Sequence, residues 1–219
     1  MCTGFEIDLL NAVETFKTVA EMLFPNITEE NDNGEWEHEL EEFDDMISAG
    51  IAVIQNLSVS EASEQTKDLL LYAIARDNEC NNIIEEILNH SKWFAELCKK
   101  VLDTNYVNAK WQFAELLGKC DSDNSINNLI FDFLSCGHEY TERMALKSLA
   151  NIHPEKAEEY AILFWEREKY ECNEYQKIMA LYVLHKIKSP SLECYLRKSE
   201  ALNSPLLTHE INRIKQEKN

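Results

Sequence analysis

The sequence predicts an all-α fold in which antiparallel helical hairpins stack side by side, and three observations predict it. The chain of 219 residues contains only five glycines and four prolines, too few for a sheet protein with many tight turns. Apolar residues recur at intervals of three and four along most of the chain, which is the spacing of amphipathic helices. A pattern of about 34 residues recurs in the second half, as in repeat architectures.

The first two helices are predicted from apolar spacing and from proline. Residues 5–24 form one apolar stripe, and Pro25 ends it because proline cannot continue a helix. After a loop over residues 26–34, a second stripe runs from Trp36 to Leu57. Three shorter helices are expected over residues 61–77, 80–90 and 92–103.

The repeated pattern indicates helical hairpins. Residues 140–152 and 175–187 share Tyr, then Met-Ala-Leu, then Leu and Ile at identical offsets, 35 residues apart. Residues 107–119 fit the same frame more loosely. Each copy is followed by a turn and a second helical segment, over residues 125–136, 154–170 and 190–202. The dipeptides Ser189-Pro190 and Ser204-Pro205 predict serine N-caps with proline at the first helical position.

From about residue 107 onward, this pattern resembles HEAT-type and related helical repeats. The resemblance implies a right-handed stack of antiparallel hairpins, an α-solenoid, because one hairpin cannot bury its apolar face alone. We expect residues 61–219 to form this array and residues 1–60 to form an acidic N-terminal helical cap, within one continuous domain.

Negative charge is concentrated near the start of the chain. Residues 29–45 read EENDNGEWEHELEEFDD, and ten of these seventeen are acidic. Of the net charge of −19, the first 66 residues carry −15. Unrelieved repulsion destabilises a compact fold, so retained carboxylates indicate a surface that is used. The alternative, a solvated helix face with no partner, stays open.

This surface is the predicted binding site, and its partner is expected to be a basic protein. Trp36 is either an anchor for that partner or an apolar contact at the start of the second helix. The candidate residues are Glu35, Trp36, Glu37, Glu39, Glu41, Glu42, Asp44 and Asp45.

Composition excludes several other classes. A pI of about 4.7 argues against direct binding of nucleic acid or of an anionic membrane, since both demand a basic surface. No apolar run approaches eighteen residues, and the first residues lack the pattern of a signal peptide. Seven scattered cysteines without a CxxC motif are typical of free thiols in a reducing compartment. We therefore expect a cytoplasmic protein.

The sequence predicts no catalytic residue, metal or cofactor, because isolated glycines form no phosphate-binding loop and no nucleophile elbow is present. One alternative rests on three His-Glu dipeptides, at residues 38–39, 138–139 and 209–210. Helical-repeat hydroxylases related to deoxyhypusine hydroxylase build an iron site from such pairs, which would make the protein a metal-dependent enzyme. Here the pairs lie in unlike contexts.

The favoured function is a non-enzymatic acidic binding protein. In size, charge and expected fold the chain resembles immunity proteins of interbacterial toxin systems of the contact-dependent growth inhibition type. That resemblance implies inhibition of a basic, nuclease-type toxin domain, with carboxylates in the positions of substrate phosphates. A general protein-protein adaptor remains the other alternative beside the metal-dependent enzyme.

Overall fold

The structure, a computed structural model, describes residues 3–25, 40–120 and 124–217. These residues contain α-helices and no β-strand, so the prediction of an all-α protein is confirmed for them. The helices are α1 (Gly4–Leu23), α2 (Glu41–Asn56), α3 (Glu64–Arg76), α4 (Asn82–Ile87), α5 (Ser91–Leu102), α6 (Val107–Leu117), α7 (Asn124–Asn127), α8 (Ile130–Phe133), α9 (Glu139–Ile152), α10 (Pro154–Glu166), α11 (Glu174–Lys186), α12 (Leu192–Ala201) and α13 (Pro205–Glu217).

A capping box fixes the start of α1. The Thr3 hydroxyl accepts a hydrogen bond from the backbone N–H of Glu6 (3.4 Å), and the Glu6 carboxylate accepts one from the backbone N–H of Thr3 (2.8 Å). Both N–H groups would otherwise lack partners at the helix start. The same apolar spacing includes Phe5 and Leu23, but both are exposed. The apolar residues that α1 does bury are Leu9, Val13, Phe16 and Ala20.

Helix α2 begins later than the sequence predicts. Leu40 is its N-cap in an extended conformation (φ −114°, ψ 123°), and no side chain caps the helix. The apolar stripe that predicted a start at Trp36 includes Leu40. Apolar spacing alone therefore does not show where a helix begins. Residues 26–39 lie outside the described part of the chain, so Trp36 itself is not placed.

The chain divides into two compact units. The first contains residues 1–113 and 122–129, hence α1 to α5, α7 and the first part of α6. The second contains residues 114–121 and 130–219, hence the end of α6 and α8 to α13. Helices α1 and α2 of the predicted cap share a unit with α3 to α5, and the boundary expected at residue 60 stays a prediction.

The core of the first unit lies where α1, α2 and α3 meet. The Phe16 ring packs edge-on against Phe43 (5.9 Å between centroids) and against Tyr72 (6.5 Å). The Glu6 carboxylate accepts hydrogen bonds at the start of α3, from the Ser63 backbone N–H (2.9 Å) and the Thr66 hydroxyl (2.7 Å). Apolar packing and a buried carboxylate together hold α1 against its neighbours.

In the second unit, the two helices that carry the repeated motif contact each other. The Arg143 guanidinium of α9 lies 4.8 Å from the ring of Tyr140 and 5.0 Å from that of Tyr175, the tyrosines that open the two motifs. The helices that follow them, α10 and α12, also touch, with the rings of Trp165 and Tyr195 5.4 Å apart. The predicted second segment over residues 125–136 is instead divided into α7 and α8.

One of the two predicted serine caps is confirmed. The Ser204 hydroxyl accepts a hydrogen bond from the Leu207 backbone N–H (3.3 Å) at the start of α13. At Ser189 the prediction holds only in part: α12 begins two residues later, with Ser191 as its N-cap, yet the Ser189 hydroxyl accepts a hydrogen bond from the Ser191 backbone N–H (3.0 Å), as a capping serine does. The Ser189 hydroxyl also donates to the Glu158 carboxylate of α10 (2.8 Å), a contact between elements that a local pattern does not reveal.

The described cysteines form no disulfide with one another. Cys98 is buried as a small apolar side chain. Those that are exposed are Cys80, Cys172 and Cys194.

Gly118 follows α6 and lies so close to α9 that there is no space for a side chain at this position. A Cβ at Gly118 would lie 2.8 Å from the Cα of Ser148, and the Ser148 hydroxyl is itself bonded to the carbonyl of Glu115 (2.9 Å). We expect Gly118→Ala to lower the free energy of unfolding by about 1–3 kcal/mol, as overpacking does, in a urea titration. Gly4→Ala is the control, because a Cβ there meets nothing within 4 Å. Equal stability of the two variants would contradict the close contact.

Candidate functional site

The candidate site begins at the N-terminal end of α2. We call Glu41, Glu42, Asp44 and Asp45 the acidic turn. Three of these side chains are exposed, and that of Glu42 is half-buried. The structure therefore places half of the eight predicted site residues on one helix end. The other four predicted residues, Glu35, Trp36, Glu37 and Glu39, lie outside the described residues.

Part of this acidity serves the helix itself. Because α2 has no side-chain cap, its first N–H groups present uncompensated positive partial charge. Glu41, Glu42 and Asp44 lie in the first turn, where a carboxylate stabilises a helix by about 0.3–1 kcal/mol. Asp45 lies beyond that turn, where the effect of the helix dipole falls off.

A groove of about 350 Å³ runs between α1 and α2 beside the acidic turn. Glu42 and Asp45 line it from α2, and Asp8 with Asn11 and Thr15 lines it from α1. The sequence analysis did not single out Asp8, because it lies more than thirty residues before the acidic turn. The groove presents carboxylate, amide and hydroxyl groups, all of which accept hydrogen bonds from cationic donors.

The protein does not neutralise these carboxylates within its described residues. None of the four in the acidic turn, nor Asp8, forms an ion pair with a described Lys or Arg. Lys17 is the single base in the first 66 residues. Its ammonium lies 3.2 Å from Glu14 and 4.8 Å from the centre of the Tyr72 ring. The single base of this stretch is thus already engaged.

Many other described carboxylates are paired. The Lys100 ammonium lies 3.1 Å from Glu64 and 2.9 Å from Asp68. Hydrogen bonds from Lys67 and Lys100 lower the pKa of Glu64. The acidic turn therefore differs from these paired carboxylates, because four acidic residues lie together there without a described counter-charge. Further pairs are Glu115 with Lys147, Glu166 with Lys198, Glu200 with Lys215 and Glu217 with Arg213.

The acidic turn can attract and bind cationic groups. Its field extends over about 8–10 Å at physiological salt, the distance over which exposed charges are screened. Among the described residues, no group of three or more His, Cys, Asp or Glu side chains is arranged to hold a metal ion. The groove is therefore suited to bind several separated cationic groups, such as the Lys and Arg side chains of a protein.

The described His-Glu pairs have local partners. The His138 ring accepts a hydrogen bond from the Thr141 backbone N–H (3.3 Å) and caps α9. Glu139 pairs with Arg143 (3.2 Å). In the last pair, Glu210 forms an ion pair within α13. The pair at residues 38–39 lies outside the described part, so the metal-dependent alternative gains no ligand set from the residues that are described.

The chain matches no protein-family model, and neither a curated protein nor a solved structure is significantly similar to it. Within the described residues, every helix is too short or too polar to cross a membrane.

Proposed function

We propose that the protein is a non-enzymatic binding protein whose acidic turn and adjoining groove bind a basic protein. The observation that carries this proposal is that Asp8, Glu42 and Asp45 line one groove and have no ion-pair partner among the described residues. Helix stabilisation accounts for carboxylates in the first turn of α2, but Asp8 and Asp45 lie outside that turn. A basic partner would supply the missing counter-charges and associate rapidly through electrostatic steering.

The partner that fits this surface is a nuclease-type toxin domain, which makes the protein an immunity protein. A nuclease presents cationic side chains because it binds a polyanionic substrate. Carboxylates spaced along a groove can occupy the positions of substrate phosphates and block that surface. An inhibitor of this kind would act in the cytoplasm, where the nucleic acid substrate is found.

A stack of helical hairpins is the scaffold we propose for this surface. Contacts of α9 with α11, and of α10 with α12, support a regular stacking of successive hairpins in the second unit. The helix that carries the acidic turn is held in place by its packing against α1, where the Phe16 and Phe43 rings lie 5.9 Å apart. A backbone that is fixed before binding loses little conformational entropy on binding.

The test begins with capture of the partner at low salt from the native source, followed by measurement of its association rate. The informative variant is Asp8→Lys with Asp45→Lys, since neither residue lies in the first turn of α2. We expect association at low ionic strength to slow by about tenfold or more, and its dependence on salt to flatten. Stopped-flow fluorescence across a salt series gives both quantities.

The matched control is Glu85→Lys with Glu159→Lys. Both glutamates are exposed, and neither forms an ion pair in the described part of the chain. The two double variants change the net charge equally, so a difference between their association rates shows that the position of the replaced carboxylates matters. Capture of an acidic or neutral protein, or equal slowing in both variants, would contradict the proposal.

A further inference from the structure

A cleft of about 830 Å³ lies in the second unit, between the end of α11, the start of α12 and α13. This volume is within the range of about 300–1,000 Å³ typical of small-molecule sites. Tyr182, Pro190 and Leu192 provide apolar wall. Cationic side chains also line the cleft, those of Lys186, Lys188 and Arg213. The lining of the cleft therefore differs in charge from that of the acidic groove between α1 and α2.

The charges of the cleft leave an excess of positive charge, although the chain as a whole carries −19. Arg213 is neutralised within α13, where its guanidinium lies 2.6 Å from Glu217. The same carboxylate lies 3.0 Å from the His185 ring. Lys186 and Lys188 are exposed, and neither forms an ion pair with a described residue. The Lys186 ammonium lies 5.8 Å from the centre of the Tyr182 ring, and both ammonium groups lack a carboxylate partner among the described residues.

The backbone at Lys188 shows that the position does not require a lysine. Lys188 has φ +54° and ends α11, with its N–H bonded to the His185 carbonyl (3.0 Å) and the Ser189 N–H bonded to the Leu184 carbonyl (2.9 Å). Glycine is the preferred residue in this left-handed position, and a side chain there is costly by about 1 kcal/mol. The fold would be more stable with glycine, yet the chain carries a cation at the mouth of the cleft.

We propose that this cleft binds a small organic anion, a phosphate monoester or a carboxylate attached to an aromatic body. Lys186 and Lys188 would bind the anionic group, and the Tyr182 ring would pack against the aromatic body. The first turn of α12 adds positive partial charge at the same cleft, where Leu192 is its first residue. Glu193 is the remaining carboxylate of the lining, and it favours a ligand whose charge lies toward the two lysines.

The probes are phenyl phosphate and benzoate, with benzyl alcohol as the uncharged analogue. We expect at least one of the two anions to saturate the cleft with a dissociation constant of about 1 mM or below, measured by isothermal titration calorimetry. Benzyl alcohol should bind at least about tenfold more weakly, because it offers the lysines no charge. Which anion binds more tightly distinguishes the phosphate from the carboxylate.

The decisive variant is Lys186→Gln with Lys188→Gly. Affinity for the anion should fall about tenfold or more, while stability stays equal or rises because glycine relieves the left-handed backbone. Lys92→Gln with Lys99→Gln is the control, since both lysines are exposed, unpaired within the described residues and remote in sequence. Failure of both anions to saturate, or equal loss in the two variants, would overturn the proposal. A urea titration of the variant measures its stability, so that weaker binding is separated from unfolding.

Discussion

Replacing Glu142 with Gln is expected to lower the free energy of unfolding by about 3 kcal/mol, the low end of the range for breaking a buried ion pair. Glu142 is fully buried, and its carboxylate lies 2.8 Å from Arg167 and 2.7 Å from Lys169. It also accepts a hydrogen bond from the Gly137 N–H (2.9 Å). Glutamine keeps the size of the side chain but removes the charge that offsets two cations. Lys169 can turn toward solvent, so most of the lost stability comes from leaving the Arg167 guanidinium without its counter-charge.

Chemical unfolding at pH 7 measures this effect, with Glu166→Gln as its control. Glu166 pairs with Lys198 at 2.6 Å, yet about half of each side chain is exposed. Exposed pairs contribute at most about 1 kcal/mol. Both variants remove a carboxylate that lies 2.6–2.8 Å from a cation, but Glu142 is buried between two cations and Glu166 is half-exposed beside one. If they had the same stability, burial of Glu142 would not be what makes its charge necessary.

Glu6→Gln is expected to lower the free energy of unfolding by about 2–3 kcal/mol at pH 7. Hydrogen bonds from the backbone N–H groups of Ser63 and Thr3 and from the Thr66 hydroxyl lower the pKa of Glu6 to about 2, from an ordinary value of 4.5. At about 1.4 kcal/mol per pKa unit, that difference stabilises the folded protein by roughly 3–4 kcal/mol at most. Glutamine can accept some of these hydrogen bonds but cannot carry the charge.

The pH dependence of this variant has a definite sign. A folded-state pKa below the unfolded value contributes stability that is complete above about pH 4.5 and is lost as the pH falls toward 2. The stability difference between wild type and Glu6→Gln should therefore shrink across this window in urea titrations. Glu14→Gln is the control on the same helix, since Glu14 is exposed and pairs with Lys17 alone. A constant difference between pH 7 and pH 2.5 would show that the Glu6 charge is not responsible.

Apolar periodicity predicted the helices well, because burial of one face is what stabilises most of them. Helices α1, α9 and α11 could be predicted from their own apolar spacing, without knowing which elements pack against them. Spacing did not locate the start of α2, because Leu40 fits the stripe while its backbone is extended. The start of α12 was predicted two residues early, since its N-cap is Ser191, and the bond from Ser189 to Glu158 on another helix leaves no local signal in the sequence.

The candidate site could be predicted only in part. Charge density along the chain identified Glu41 to Asp45, because consecutive carboxylates are visible in a sequence. Asp8 could not be identified, because its place in the groove depends on how α1 packs against α2. The cationic cleft was missed because Lys186 and Lys188 are separated in sequence from Arg213, and a mixed charge pattern gives no local signal.

The bonds of Glu6 to the start of α3 also bear on synthesis of the chain. Thr66 follows Glu6 by 60 residues, whereas Glu142 meets Lys169 after 27. At a translation rate of about 5–20 residues per second, the first helix emerges roughly 3–12 s before its hydrogen-bonding partner does. During that interval the Glu6 carboxylate can form only the hydrogen bonds of its own capping box. The packing of α1 can be completed only after α3 has been synthesised.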